Sequence, residues 1–466
     1  MANIHIVHRS IRINDNISLI QQIKEQGSVQ VIFIFTPEQI NVKENKYFSN
    51  NSVQFMIESL KELHEEIKKH GGKFLFFYGD NIKVLSSLHK TDAIKSISYN
   101  FEYTPYGTKR SKDIHDFAKK ENIIIYEKED YALYDILPGD TCKKDGTPYL
   151  VYTPYMKHLM NDLQVREVDK FNKFEFDNNS KYSKNKYILP FNEINKFYIE
   201  NQNINVNGGR SNSLKILKHI TNFKNYLKDR DYLTYKTTFL SASLHFGTVS
   251  IRETYFAMLN NLGKNSGLIR ELIWRQFYME ITYHFPHVLH GQIGKENIPF
   301  KKQYDKIKWS YNTKNFERWC NGTTGFPLVD ACMKQLNVTG YMHNRGRMIV
   351  ASFLTKDLHI DWRWGEKYFA TKLVDYDPMS NSGGWGWCSS TGTDAQPYFR
   401  IFNPWTQSLK YDKDCEYIKY WIPELKNVPN KNIHNWYKFF DENIYHKPII
   451  NHDDERKVTL DLFKIK

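Results

Sequence analysis

Glu271, Trp274 and Arg275 stand at i, i+3 and i+4. On a helix that spacing puts a carboxylate, an indole and a guanidinium on one face. Asn344, Arg347 and Met348 repeat the spacing. A third run, Asp375 to Pro404, carries Asp375, Asp377, Asn381, the pair Gly383-Gly384, and two tryptophans two apart, Trp385 and Trp387. Tryptophan is costly to expose, and its N–H wants a partner when buried. A segment this aromatic and this polar is poor core material. It suits a flat, redox-active ligand with an electron path beside it. Singly, each group has a plainer reading: a helix ion pair, a core methionine, an asparagine filling a loop.

The elements that must position these groups fall into two styles. Residues 1 to about 135 alternate β-rich runs with helical patterns. Candidate strands are Ile4–His8, Val29–Phe35, Lys73–Tyr78, Ser96–Asn100 and Ile123–Tyr126. Between them, Ser52–His70 places Phe55, Leu60, Leu63 and Ile67 at helical spacing. Such alternation predicts a parallel, doubly wound α/β sheet. No GxGxxG follows the first strand, which argues against a Rossmann dinucleotide site there. Residues 136–207 read as a connection, with Asp169–Lys186 a solvated linker dense in Lys, Asn and Asp. From Gly208 to the end, 208–466, the pattern is mostly helical, beginning with Ser213–Tyr226.

Four motifs carry a resemblance: Glu271-Leu-Ile-Trp274-Arg275-Gln-Phe-Tyr278, the run Thr339–Met348, the run Asp361–Phe369, and Asp375–Pro404. In that order and spacing they resemble the photolyase/cryptochrome flavoproteins, closest to class I cyclobutane pyrimidine dimer photolyases. The resemblance implies a helical FAD-binding domain after the α/β domain. It implies that Glu271 hydrogen-bonds a thymine dimer, that Trp274 and Trp387 stack on it, and that Met348 packs on it. Asn344 would touch both flavin and lesion. Arg275 would approach the flavin phosphates, Arg347 would pair with Asp375 beside the ring, and Asn381 would face flavin N5. Asp377 joins this cofactor set. Tyr226, Thr237, Thr238, Leu240 and Ser241 would cradle the phosphates, and Trp385, Trp362 and Trp309 would form an electron wire to the surface. Trp319 and Trp364 read as core. Arg345 and Arg400, with Trp274 and Trp387, are the DNA-contact candidates.

The same resemblance separates subfamilies. Histidines that (6-4) photolyases carry are absent at Asn344 and Met348, and His343 sits one step round the helix. Trp387 stands where single-strand-preferring DASH proteins tend to have Tyr, although Asp361-Trp-Arg-Trp364 is similar to theirs. A cryptochrome-type light receptor is the rival of another class. Such receptors commonly carry a long tail, and this chain runs only about sixty residues past Pro404. The expected partner is DNA carrying UV-induced pyrimidine dimers, and the expected reaction is their light-driven repair. A second antenna chromophore, a folate or a deazaflavin, is an option in the α/β domain. There Arg12 and Asp15 agree with the family, while His8 and the segment Asn100–Lys112 depart from it.

Composition sets bounds. The chain has 466 residues, a net charge of +13 and a basic balance that suits phosphates, although Lys- and Asn-rich codon bias would produce it too. No apolar run reaches the ~18 residues of a membrane span, and the first residues lack the pattern of a signal peptide. Five scattered cysteines and no CxxC pair predict a reduced, intracellular, soluble protein with no metal. A monomer is expected.

Overall fold

Short runs rich in Ile, Val and Phe build one sheet: β1 (Ala2–Ile6), β2 (Gln30–Phe35), β3 (Phe74–Tyr78), β4 (Ile94–Asn100), β5 (Ile124–Lys128) and β6 (Ile188–Leu189). The computed structural model describes residues 1–178 and 181–465. The strand order is β5-β4-β1-β2-β3-β6. The first five strands are parallel, and β6 joins the β3 edge antiparallel. The five parallel strands lie within two residues of the runs expected from sequence, and the two-residue edge strand β6 is an addition to them. Every residue of β2 is buried, as expected for a central strand covered on both faces.

Helix α1 (Ile17–Gln26), α2 (Asn50–Lys69), α3 (Asn81–Thr91) and α4 (Pro105–Lys120) flank the sheet. The Ser49 hydroxyl accepts the Ser52 N–H and caps α2. Its expected stripe, Phe55, Leu60, Leu63 and Ile67, is buried. The sheet reverses its winding between β1 and β4. Ligand crevices in open α/β sheets lie outside the carboxyl ends of strands at such a point. Here His8 and Arg9 follow β1, while Glu102, Thr104 and Tyr106 follow β4, and all five line a wide groove between sheet and helices.

Two stretches differ from their sequence reading. Asp169–Lys186 is no free linker over its described part, with Asn179 and Ser180 outside the described residues. Phe174 and Phe176 are buried, Phe176 bridges to Val29, and Tyr182 is fully buried. Aromatic residues two and six apart anchored what polar neighbours disguised. The single helix expected over Ser213–Tyr226 is instead a helix at Arg210–Lys218, a 3-10 turn at Ile220–Phe223 and a short turn at Tyr226–Asp229. Leu214, expected inward, is 40% exposed.

The remaining elements place the motifs. They are α5 (Tyr152–Asp162), α6 (Ser241–Phe246), α7 (Ile251–Leu262), α8 (Gly267–His284), α9 (Pro327–Thr339), α10 (Asn344–Ser352), α11 (Trp362–Lys372) and α12 (Pro378–Ser389). Helix α8 buries residues on nearly every face and packs against α5, α7 and α12. The two halves are joined by a charge network. Arg12 bonds Asp130 at 2.5 Å, and Arg252 bonds Asp130 at 2.5 Å and Asp15 at 2.9 Å. All four side chains are essentially inaccessible. Burial would raise the Asp130 carboxyl, but Arg12 and Arg252 hold it below the usual range. Arg12 and Asp15 are thus structural.

Candidate active site

Helices α8, α10 and α12 converge on a cavity of about 420 Å³, within the range of ligand sites. Glycines set their approach. A Cβ on Gly383 of α12 would stand 2.2 Å from Tyr278 of α8, whereas one on Gly384 would meet nothing. Helix α12 starts on Pro378, with the Asp377 carboxylate accepting the Ser380 N–H as its cap. These two features account for much of the Asp377–Trp387 motif.

The cavity wall brings together Ser241, Glu271, Trp274, Arg275, Asn344, Arg347, Met348, Asp375, Asp377, Asn381, Trp385 and Trp387. Three motifs distant in sequence therefore meet as expected. Arg347 bonds both Asp375 oxygens, at 2.9 and 3.0 Å, and donates to the Met342 carbonyl. Asn344 donates weakly to the Met348 sulfur at 3.7 Å. Arg275 donates to the carbonyls of Tyr131 and Leu244 rather than to a carboxylate, and burial lowers it to about 10. A cation that hydrogen-bonds carbonyls, with only the Asp377 charge near it, suits an anionic ligand group. Burial would raise Asp377, but the hydrogen bond with His245 and the charges of Arg9 and Arg275 hold it below the carboxylate range. Its ion pair with Arg9, at 3.4 Å, ties the cavity to the groove.

Asn381 is oriented by chemistry. Its Nδ2 donates to the Glu366 carbonyl at 3.0 Å and the Glu366 carboxyl at 2.9 Å. Two acceptors there fix the nitrogen, leaving Oδ1 as the acceptor for a ligand N–H. Glu366 is buried, which pushes its carboxyl up to about 7 against the Asn381 amide.

The other expected residues lie at or around this cavity. Of the cradle Tyr226, Thr237, Thr238, Leu240 and Ser241, only Ser241 lines this cavity. Thr237 bonds the Tyr341 hydroxyl, the Leu240 N–H donates to Thr238, and the Leu240 side chain is core. Tyr226 is half-buried under the Arg230 guanidinium. Arg345, offered for DNA, already pairs with Asp231 at 2.8 Å and lies over the Tyr411 ring. Arg400 is exposed. Trp385 is buried, edge-on to Phe369 at 5.0 Å and to Trp319 at 6.1 Å. Trp362 opens α11, whose Gly365 makes room for the Trp385 ring, and Trp309 is buried at the groove.

Three partners were missed in the sequence. Arg230 forms a tight ion pair with Glu271. Burial raises the Glu271 carboxyl and Arg230 opposes it. Tyr152 of α5 stacks on Trp274 at 3.6 Å and 6°, inside the stretch read as a connection. Glu366 orients Asn381.

A slot with aromatic walls, an Arg–Asp pair, an amide acceptor and a carbonyl-held cation fits a flavin, and the fold and site define a flavoprotein. Residues 268–465 match the family described as the FAD binding domain of DNA photolyase, and residues 3–173 match DNA photolyase. A deoxyribodipyrimidine photo-lyase of Alkalihalophilus pseudofirmus is 34% identical over 98% of this chain and 96% of its own length. A solved archaeal photolyase of Sulfolobus tokodaii, described with two FAD molecules, covers all of both chains at 35% identity and a TM-score of 0.87. A Synechocystis cryptochrome shares the fold at TM-score 0.86 and 24% identity, covering 99% of each chain. The chain belongs to the DNA photolyase family, with FAD as its cofactor. Among the described residues no helix is long and apolar enough to cross a membrane.

Proposed function

We propose that this protein repairs cyclobutane pyrimidine dimers in DNA under light. The observation that carries the reading is the meeting of Glu271, Trp274, Asn344, Met348 and Trp387 on one cavity wall beside Asn381. Reduced FAD, when bound, supplies one electron on absorbing light. The chain does the rest. A dimer cannot be reached inside a duplex, so it is flipped out at roughly a few kcal/mol, less for a damaged base. Stacking on Trp274 and Trp387 offsets about 1–3 kcal/mol per base. Tyr152 holds the Trp274 plane from behind. Arg230 fixes the Glu271 carboxyl at the cavity wall, where burial raises it and the guanidinium opposes that shift, and there it would meet the lesion. Asn381 Oδ1, left free by the two bonds from Nδ2 to Glu366, would accept an N–H of the flavin. Arg347, Asp375, Asp377, Arg275 and Ser241 hold the cofactor's polar parts. Trp385 is the first station of an electron wire, with Trp362 and Trp309 beyond it and Trp319 beside it. The groove at the sheet's switch point is the place for a second chromophore.

The test is repair by photoreduced protein of oligonucleotides carrying defined lesions. Cyclobutane dimers should regain their 260 nm absorbance under blue light while (6-4) products remain. Glu271→Ala should keep FAD and lower repair per absorbed photon, since a bond to a charged intermediate contributes about 1.5–3 kcal/mol. Repair of (6-4) products alone, or an unchanged yield in the variant, overturns the reading.

A further inference from the structure

At the other end of α8, three potential ligand atoms converge away from the cavity. They belong to Glu280 and His284, at i and i+4 on that helix, and to Cys142 from the turn that precedes α5. All lie within 4.8 Å of one another. The Cys142 sulfur is 3.5 Å from His284 Nε2, and Glu280 Oε2 is 3.3 Å from the same nitrogen. A tetrahedral zinc, with bonds of about 2.3 Å to sulfur and about 2.0–2.1 Å to nitrogen and oxygen, sets such separations at about 3.6 and 3.3 Å.

Three further observations point to a cation. Glu280 is 2% exposed; the Tyr155 hydroxyl donates to its Oε1, while Oε2 has no hydrogen-bond partner. Its one close polar neighbour is His284 Nε2 at 3.3 Å, in poor hydrogen-bond geometry, so this buried oxygen keeps a binding capacity that a cation would use. Thiol and carboxyl also approach the same imidazole nitrogen. A cysteine–histidine–carboxylate relay would engage the two ring nitrogens separately. Convergence on one point is what a metal ion needs. The site also lies in the last turn of α8, where the helix dipole favours positive charge.

We propose that Cys142, Glu280 and His284 bind a divalent zinc-class ion. Zinc takes the mixed sulfur, nitrogen and oxygen set that magnesium and calcium disfavour. Binding expels the Cys142 thiol proton, and His284 ligates as neutral imidazole with its proton on Nδ1. Thiolate, carboxylate and a doubly charged cation then sum to zero. Water fills the fourth position from the side of His284, whose side chain is 25% exposed. The ion clips the turn at Cys142 to the helix that carries Glu271 and Trp274. The sequence hid this because 142 positions separate Cys142 from His284.

Full-length, flavin-loaded protein stripped with a chelator is titrated with Zn²⁺ against a chromophoric chelator, and separately with Co²⁺. Uptake of one zinc per chain is expected, with a thiolate-to-cobalt band in the difference spectrum. Cys142→Ser should abolish that band, and Cys142→Ser and His284→Gln should each weaken zinc by about tenfold or more. Flavin absorbance reports that the variants fold. Should Cys142→Ser lose flavin, His284→Gln and the zinc-induced rise in wild-type melting temperature carry the test. No zinc uptake by the wild type, or equal affinity in a folded variant, overturns the proposal.

Discussion

The network joining the two halves and the wall of the flavin cavity both set arginine against carboxylate, to opposite ends. Around Asp130 two arginines meet two aspartates out of reach of water, and their charges cancel. In the cavity, Arg347 bonds Asp375 and Arg230 bonds Glu271, but each pair turns a side to open space, and Arg275 hydrogen-bonds carbonyls with the Asp377 charge nearby. A closed set of charges fixes a geometry. An open set keeps binding capacity and is correspondingly cheaper to disturb.

The largest effect should come from breaking the closed set. Asp130→Ala leaves Arg12 and Arg252 buried and under-compensated, which should cost about 3–5 kcal/mol in denaturant unfolding. A loss below about 1 kcal/mol would mean that water enters the network and that the contrast with the cavity is false.

Glu366→Gln probes a carboxyl behind the open wall. Its side chain sits at about 7 in the fold against an ordinary 4.5. A raised carboxyl is no burden below pH 4.5, and the penalty grows as pH rises toward 7. The variant should therefore be more stable than wild type by roughly 3 kcal/mol at pH 8 and by under ~1 kcal/mol at pH 5. Parallel unfolding curves at both pH values would show that Glu366 is not desolvated as described.

Tyr152→Ala should be mildest. Trp274 loses the ring stacked behind it, and damaged-DNA affinity should fall about fivefold, the ~1 kcal/mol of an aromatic pair. Flavin content should hold. Unaltered affinity in a binding titration would make the stack mere packing.

What the sequence disclosed follows from distance along the chain. Glu271, Trp274 and Arg275, or Asn344, Arg347 and Met348, are legible because one helical turn brings them together. The parallel strands are legible because short β-rich runs alternate with helical patterns, most plainly in the near-continuous apolar runs of β2 and β3. Arg230 opposite Glu271, Tyr152 behind Trp274 and Glu366 behind Asn381 depend on tertiary packing, which no local period encodes. The edge strand β6 has two residues and too little pattern to see. Thr237 and Thr238 show a limit of another kind: a hydroxyl run reads locally as a helix cap, only the family resemblance offers it as a phosphate cradle, and the Thr237 hydroxyl here meets that of Tyr341.

The network at Asp130 also bears on how the chain is made. Arg252 is 237 positions beyond Asp15 and 122 beyond Asp130. A ribosome adding about 5–20 residues per second needs roughly 10–50 s to pass from the first aspartate to its arginine. Through that interval the nascent sheet holds carboxylates shaped for a partner not yet synthesised. Until α7 leaves the exit tunnel Asp130 has only Arg12 to balance it, and the closed set of four charges forms only once Arg252 arrives.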